Sequence, residues 1–157
     1  MSAGPRIVFT RFVTADTPKL RPWADHALRV SGQDNGIVPV SNPADESTAV
    51  VWSVVSANNR SLARGARIFA SFRDASAAAR EAQKIVAEAE IVLVSEQSLG
   101  RYGWFLQHDG GAIVTSARWY STERDRKYSI GLATKSIALA VLLDGARLMD
   151  ATLLGGG

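Results

Sequence analysis

The sequence predicts an α+β fold: two tandem strand–turn–strand–helix–strand repeats forming one largely antiparallel sheet with both helices on one face, preceded by a proline-containing N-terminal arm and hairpin. Three observations carry that expectation. Two nine-residue stretches, Ala66–Asp74 (ARIFASFRD) and Ala117–Asp125 (ARWYSTERD), echo one another 51 positions apart. The echo widens on both sides, with Val51–Ser56 (VWSVVS) matching Gly103–His108 (GWFLQH), and Ala82, Lys84 and Ala87 matching Ala133, Lys135 and Ala138. Around both copies, apolar runs of strand length are broken by turn residues and followed by segments of helical periodicity.

The elements follow in order. Residues 1–48 form the arm and contain all five prolines, at positions 5, 18, 22, 39 and 43. Arg6–Val13 has the composition of a strand. His26–Ser31 and Ile37–Val40 flank Gln33–Gly36, whose Asn35-Gly36 pair predicts a second hairpin, with Pro39 confining its return strand to an edge. The arm has too few apolar residues for a core of its own, so it is expected to pack on the repeats or to reach a neighbouring subunit.

Residues 49–99 form the first repeat and 100–157 the second, sharing one core. In the first, Ala57–Arg60 turns the chain after Val51–Ser56. A helix over about 73–89 then sets Ala78, Ala82, Ile85, Val86 and Ala89 on one face, and Ile91–Val94 is the closing strand. In the second, Asp109–Gly111 makes the hairpin turn and Ala112–Ser116 the return strand. A helix over about 124–139 presents Ile130, Ala133 and Ile137, weakened at Gly131, and Val141–Leu143 is the closing strand. Ser71-x-x-Asp74 and Thr122-x-x-Asp125 have the spacing of a helix-start capping box. Trp52 and Trp104, early in their strands, are expected in the core.

Composition narrows the function. With 46% hydrophobic and 21% charged residues, and no apolar run of membrane-spanning length, the chain reads as a soluble globular protein of the cytoplasm. The N-terminus lacks the basic flank and apolar core of a secretory signal. Absence of cysteine excludes disulfides and thiolate chemistry, and two histidines make a dedicated zinc site a poor fit. The net charge of +3 is uneven: residues 49–89 and 100–138 each carry six basic and three acidic side chains. That excess points to an anionic partner.

The second unit resembles the YegP-like domain, a small bacterial module of unknown biochemical function that often occurs in tandem. The resemblance rests on Trp104-Phe-Leu-Gln, the turn Asp109-Gly-Gly111, Ala112-Ile-Val-Thr-Ser116, Tyr120 and a following helix with Ile130; Ser129 replaces the family's glycine before that isoleucine. It covers roughly residues 49–140 and is closer in the second unit, because Leu62, Ala63 and Arg64 stand where the second has Ile113, Val114 and Thr115. It implies a strand–strand–helix repeat paired into one sheet, and no catalytic residues.

The residues themselves yield no catalytic, cofactor-binding or metal-binding set. His26 follows Asp25 and His108 precedes Asp109, but adjacent side chains diverge and do not form an oriented acid–base couple. There is no phosphate loop carrying a lysine, no serine elbow and no metal-spaced cluster, and Gly155–Gly157 is too short and poorly placed to cradle a phosphate. The expected function is a non-enzymatic structural or protein-interaction module, a homo-oligomer or the ligand of another protein. The alternative is nucleic-acid binding through Arg67, Arg73, Arg118, Trp119, Tyr120 and Arg124. Arg73 and Arg124 stand against the dipole in the first helical turn; each is expected to pair with its neighbouring aspartate, or else to help hold an anion. No membrane and no small-molecule substrate is indicated.

Overall fold

A computed structural model of the chain describes residues 4–12, 18–33 and 37–148. In chain order its elements are β1 (Arg6–Phe12), α1 (Arg21–Ser31), β2 (Ile37–Val38), β3 (Ala49–Val55), β4 (Ser61–Gly65), β5 (Ile68–Phe69) and α2 (Phe72–Ile85). There follow β6 (Glu90–Glu96), β7 (Arg101–His108), β8 (Gly111–Ser116), α3 (Glu123–Leu139), β9 (Val141–Leu142) and β10 (Arg147–Leu148). The chain is therefore mixed α and β, as its sequence predicts.

The main sheet runs β10–β1–β3–β4–β8–β7–β6. Its long neighbours are antiparallel; only the short β9 and β10 lie parallel to β1, and β2 parallel to β5. Two hairpins, β3–β4 and β7–β8, meet at the centre through β4 and β8, with Arg64 opposite Thr115. The second turn uses positive φ at Asp109 (51°) and Gly110 (80°), the conformation that the Asp-Gly pair favours. β1 flanks β3 from Arg6↔Val55 to Phe12↔Ala49. On the far side β6 flanks β7 from Glu90↔Gln107 to Glu96↔Arg101. Although β6 follows α2, it thus completes the sheet beside the second hairpin.

Side-chain alternation decides what covers each face. Val50, Trp52 and Val54 of β3, with Trp104 and Leu106 of β7, pack against Ala75, Ala79 and Ala82 of α2 and Ala133 and Ile137 of α3. Both tryptophans are fully inside, at 2% and 0% exposure. The buried stripe of α2 is Ala75, Ala79, Ala82 and Val86, slightly rotated from the predicted one, so Ala78 and Ile85 flank it. Gln83 donates to the carbonyls of Ile137 (3.0 Å) and Ala140 (2.8 Å), tying α2 to the end of α3.

The opposite face corrects the predicted N-terminal hairpin. His26–Ser31 is the second half of α1 and not a strand. Pro22 in the first turn suits a helix start, and Gly32 ends the helix in the left-handed region (φ 70°), its amide bonding to the Leu28 carbonyl at 2.7 Å. Ala27 and Val30 are the buried residues of the helix, and Val30 joins Phe105 and Ala112 beneath it. Tertiary burial therefore overrides the strand-like composition of His26–Ser31; the turn expected at Asn35-Gly36 lies outside the described residues. β1, far from being a loose arm, is an interior strand of the sheet, with Ile7 and Phe9 in the main core. The return strand is shorter than expected, two residues ending before Pro39.

Candidate interaction surfaces

The repeated nine-residue motif builds a strand-to-helix corner twice. Ser71 and Thr122 have extended backbones (φ −140° and −138°), and their hydroxyls accept from the amides of Asp74 (3.1 Å) and Asp125 (3.0 Å). Each hydroxyl thereby satisfies one orphan amide of its helix. The reciprocal half of a capping box does not form at Asp74. Its carboxylate accepts instead from the Ser41 hydroxyl and amide, bonds that hold its pKa below the usual carboxylate value.

The six predicted contact residues do not converge on one site. Arg73 is exposed and pairs with Asp45 at 3.2 Å, not with the adjacent Asp74 as expected. Arg124 is exposed, with no carboxylate at ion-pair distance among the described residues. Trp119 is half-buried on the α1 face. The Arg101 guanidinium lies 4.5 Å over its ring, the His26 ring meets it edge-on at 6.3 Å, and Gly103 lies so close beneath that an added Cβ would sit 2.9 Å from the indole. It is therefore a packing residue and not a free stacking platform. Tyr120 is half-buried too, its hydroxyl accepting from Ser129 at 2.7 Å.

Arg67 and Arg118 remain, and they occupy corresponding places. Arg67 stands at the rim of an apolar cavity of about 190 Å³ lined by Trp52, Phe69, Ala78 and Ile113. Arg118 stands at a larger, more polar hollow of about 430 Å³ with Tyr120, Ser129 and Leu62. The sequence echo matches Phe69 with Tyr120 and Ala78 with Ser129, so one corner is dry and the other hydroxyl-bearing.

The second hollow opens along α3 onto a shallow groove holding Arg124, Lys127, Tyr128, Leu132 and Lys135. Tyr128 is 73% exposed, the aromatic that sequence reasoning missed. Its signal was available: Tyr128 lies four residues after Arg124 and one after Lys127, on the helix face opposite Ala133 and Ile137. With Arg60 and Arg118 at the hollow, this flank gathers five cations near one free phenol ring.

A second surface has a different character. β6 ends the sheet, and its Ile91 (47%) and Leu93 (57%) are exposed. Beneath this end of the sheet Arg126, only 5% exposed, donates to the Val94 carbonyl (3.1 Å), Ser95 Oγ (3.2 Å) and Glu123 (3.3 Å), with its guanidinium 5.2 Å over the Tyr102 ring. On the other face Glu96 pairs with Arg101 and, at 3.4 Å, with Arg29 of α1; bonding to Arg101 holds its pKa down.

The two histidines lie in different surroundings. His26 Nε2 donates to the Ser116 carbonyl at 2.7 Å, and burial holds its pKa below the usual value, a shift opposed by that bond and reinforced by Arg64 and Arg101. His108 Nδ1 lies 3.5 Å from the carboxylate of the exposed Asp109. Among the described residues no group of three metal-ligating side chains comes together, and no helix is long and apolar enough to cross a membrane.

No protein-family model matches the chain, and no curated protein matches it. Among solved structures, it is similar to the solution NMR structure of YegP from E. coli, a protein of unknown function. The TM-score is 0.49 and the identity 12%, over 72% of this chain and 90% of that one.

Proposed function

We propose that the chain is a non-enzymatic assembly module built from a duplicated unit, joining subunits through an open edge of its sheet. The pairing pattern supports a unit of strand, strand, strand and helix: β1, β3, β4 and α2 in one copy, β6, β7, β8 and α3 in the other. With β1 outside β3 and β6 outside β7, the two copies meet as mirror-ordered halves at β4 and β8. This regroups the segments expected at 1–48, 49–99 and 100–157: β1 joins the first copy, α1 and β2 are an insertion within it, and β6 opens the second.

One observation carries the assembly reading. At the β1 end the sheet is extended by β9 and β10, whereas at the β6 end no further strand lies among the described residues, and the seven-residue β6 leaves Ile91 and Leu93 exposed. Uncovered edges recruit strands, and proteins usually protect them with charged side chains, proline or a bulge. β6 has no proline or bulge, its charges stand only at its two ends, and its register against β7 is unbroken.

A second reading, binding of single-stranded nucleic acid, is favoured by Tyr128 standing exposed among Arg118, Arg124, Lys127 and Lys135. Mass measured by light scattering across a salt series, with and without a labelled mixed-sequence single-stranded oligonucleotide, separates the two. The assembly reading expects a multimer indifferent to salt and oligonucleotide. A monomer whose oligonucleotide affinity falls steeply with salt would replace it by the second reading, and a monomer that binds nothing would remove both.

A further inference from the structure

We propose that β6 is the seam of a two-fold homodimer, Glu90–Glu96 of one chain pairing antiparallel with Glu90–Glu96 of a second copy about Leu93; this rests on the assembly reading and gives it a partner and a register. The first argument is backbone polarity. Tyr102 exchanges both its hydrogen bonds with Tyr120 (2.8 and 2.7 Å), and the Trp104 amide turns the same way, to Ser116 Oγ at 3.3 Å. Both residues therefore turn their backbone groups away from β6. Ser95 lies opposite Tyr102 and Leu93 opposite Trp104. In an antiparallel ladder those are non-hydrogen-bonded pairs, so Ser95, Leu93 and, by the two-residue period, Ile91 direct their amides and carbonyls outward.

The second argument is sequence symmetry. The strand reads Glu-Ile-Val-Leu-Val-Ser-Glu, almost the same in both directions. Antiparallel pairing about Leu93 sets Val92 against Val94 and Glu90 against Glu96, and only Ile91 against Ser95 departs from identity. That register also joins outward-facing residues to outward-facing residues, Leu93 to Leu93 and Ile91 to Ser95, as an isologous two-fold interface requires. A slip by one residue would set outward groups against inward ones. The Leu93 and Ile91 side chains, 57% and 47% exposed, would gain neighbours on the face shared with α3.

Charge supplies the third argument. Glu90 and Glu96 lie on the α1 side of the strand, as Val92 and Val94 do. Glu96 sits between two guanidiniums, Arg29 and Arg101, so its end of the strand is positive by one charge. Glu90, held at 2.8 Å only by the neutral Gln107, leaves the other end negative. The two-fold places the negative end of each copy beside the positive end of the other.

The chain has no cysteine, which makes the register testable by single substitutions. In light scattering over a concentration series, the wild type is expected at twice the chain mass and Leu93→Lys at the single mass, still folded by circular dichroism and with a cooperative thermal melt that no longer depends on concentration. Leu93→Pro, which removes the outward amide together with the leucine side chain, should also be monomeric. With a short thiol-to-thiol crosslinker, Leu93→Cys should link to itself. Ile91→Cys should not, except when mixed with Ser95→Cys. A wild type that is monomeric throughout overturns the proposal. A dimer that survives Leu93→Lys and crosslinks without this pattern also overturns it, but leaves the assembly reading standing with a different seam.

Discussion

Ser129→Ala is the substitution whose effect the structure defines most sharply. Ser129 Oγ accepts from Trp104 Nε1 at 3.0 Å and donates to the Tyr120 hydroxyl at 2.7 Å. Trp104 is 0% exposed and Ser129 8%, so removing the hydroxyl leaves a buried indole N–H without its acceptor. A buried donor without an acceptor costs about 1–3 kcal/mol. Tyr120 is half-buried, and water can replace its lost donor, so the expected loss lies in that range and does not double. Urea unfolding followed by far-UV circular dichroism measures it without relying on tryptophan emission. The cycle with Trp104→Phe isolates the contact. A phenyl ring has no N–H to leave unpaired, so Ser129→Ala in that background should cost much less, with a coupling of about 0.5–3 kcal/mol. An unchanged midpoint for Ser129→Ala, or additive single effects, would refute the reasoning.

Two glycine substitutions should move stability in opposite directions. Gly65→Ala drives a Cβ into the indole of the buried Trp52, well inside van der Waals contact, and should destabilise by roughly 1–3 kcal/mol, whereas Gly131→Ala, with open space in α3, should stabilise by about 0.5–1 kcal/mol; denaturant midpoints check both. Because burial lowers the pKa of His26 in the folded state, the unfolded chain binds the extra proton as pH falls through about 6.5. Stability should therefore decline from pH 7 towards the folded-state pKa, and His26→Gln should flatten that part of the profile. Asp74 and Glu96, whose pKa values are lowered, contribute stability that is lost only further down, as pH falls through their folded-state values. If the α3 flank binds single strands, Tyr128→Ala should weaken oligonucleotide binding by about 1–3 kcal/mol with little change in salt slope, while Arg118→Ala should lower the slope of log affinity against log salt by about 0.7; fluorescence anisotropy reads both.

What the sequence made legible was local. The caps at Ser71 and Thr122, the Asp109-Gly110 turn and the two tryptophans in the core are each set by a short-range rule, and each stands where its residues predict. What it hid depended on partners remote in sequence. His26–Ser31 has strand-like composition around Val30, but Pro22 and Gly32 bound a helix whose buried face is complete only with Phe105 and Ala112 beneath it. The placement of β6 was hidden for the same reason. Its alternation identifies a strand, yet nothing within it says whether it pairs with the hairpin before or after it. Direction was also hidden: Trp119 and Tyr120 are adjacent and point to opposite faces, one under α1 and one under α3, and both are half-buried.

The two strand-to-helix corners differ in chemistry while the scaffold around them does not. Positions that hold the fold share their chemistry: Trp52 and Trp104 fill one core, and Ala82 and Ala133 sit on the two inner helix faces. Positions at the rim differ together. Where the first corner has Phe69 with Ala78, the second has Tyr120 with Ser129, and the hydroxyls bond to each other and to Trp104. The two hydroxyls and the indole N–H form one chain of hydrogen bonds, so removing Ser129 Oγ takes a partner from both of the others. Ala75 and Arg126 differ similarly. Ala75 is simply buried in the core, while Arg126 reaches Val94 and Ser95 on β6. An arginine that is 5% exposed and bonded to the strand at the edge fixes that edge in place. The half of the sheet that ends in β6 thus carries polar ties where it supports that strand, and the half whose outer strand is flanked by β9 and β10 has none at the matching positions.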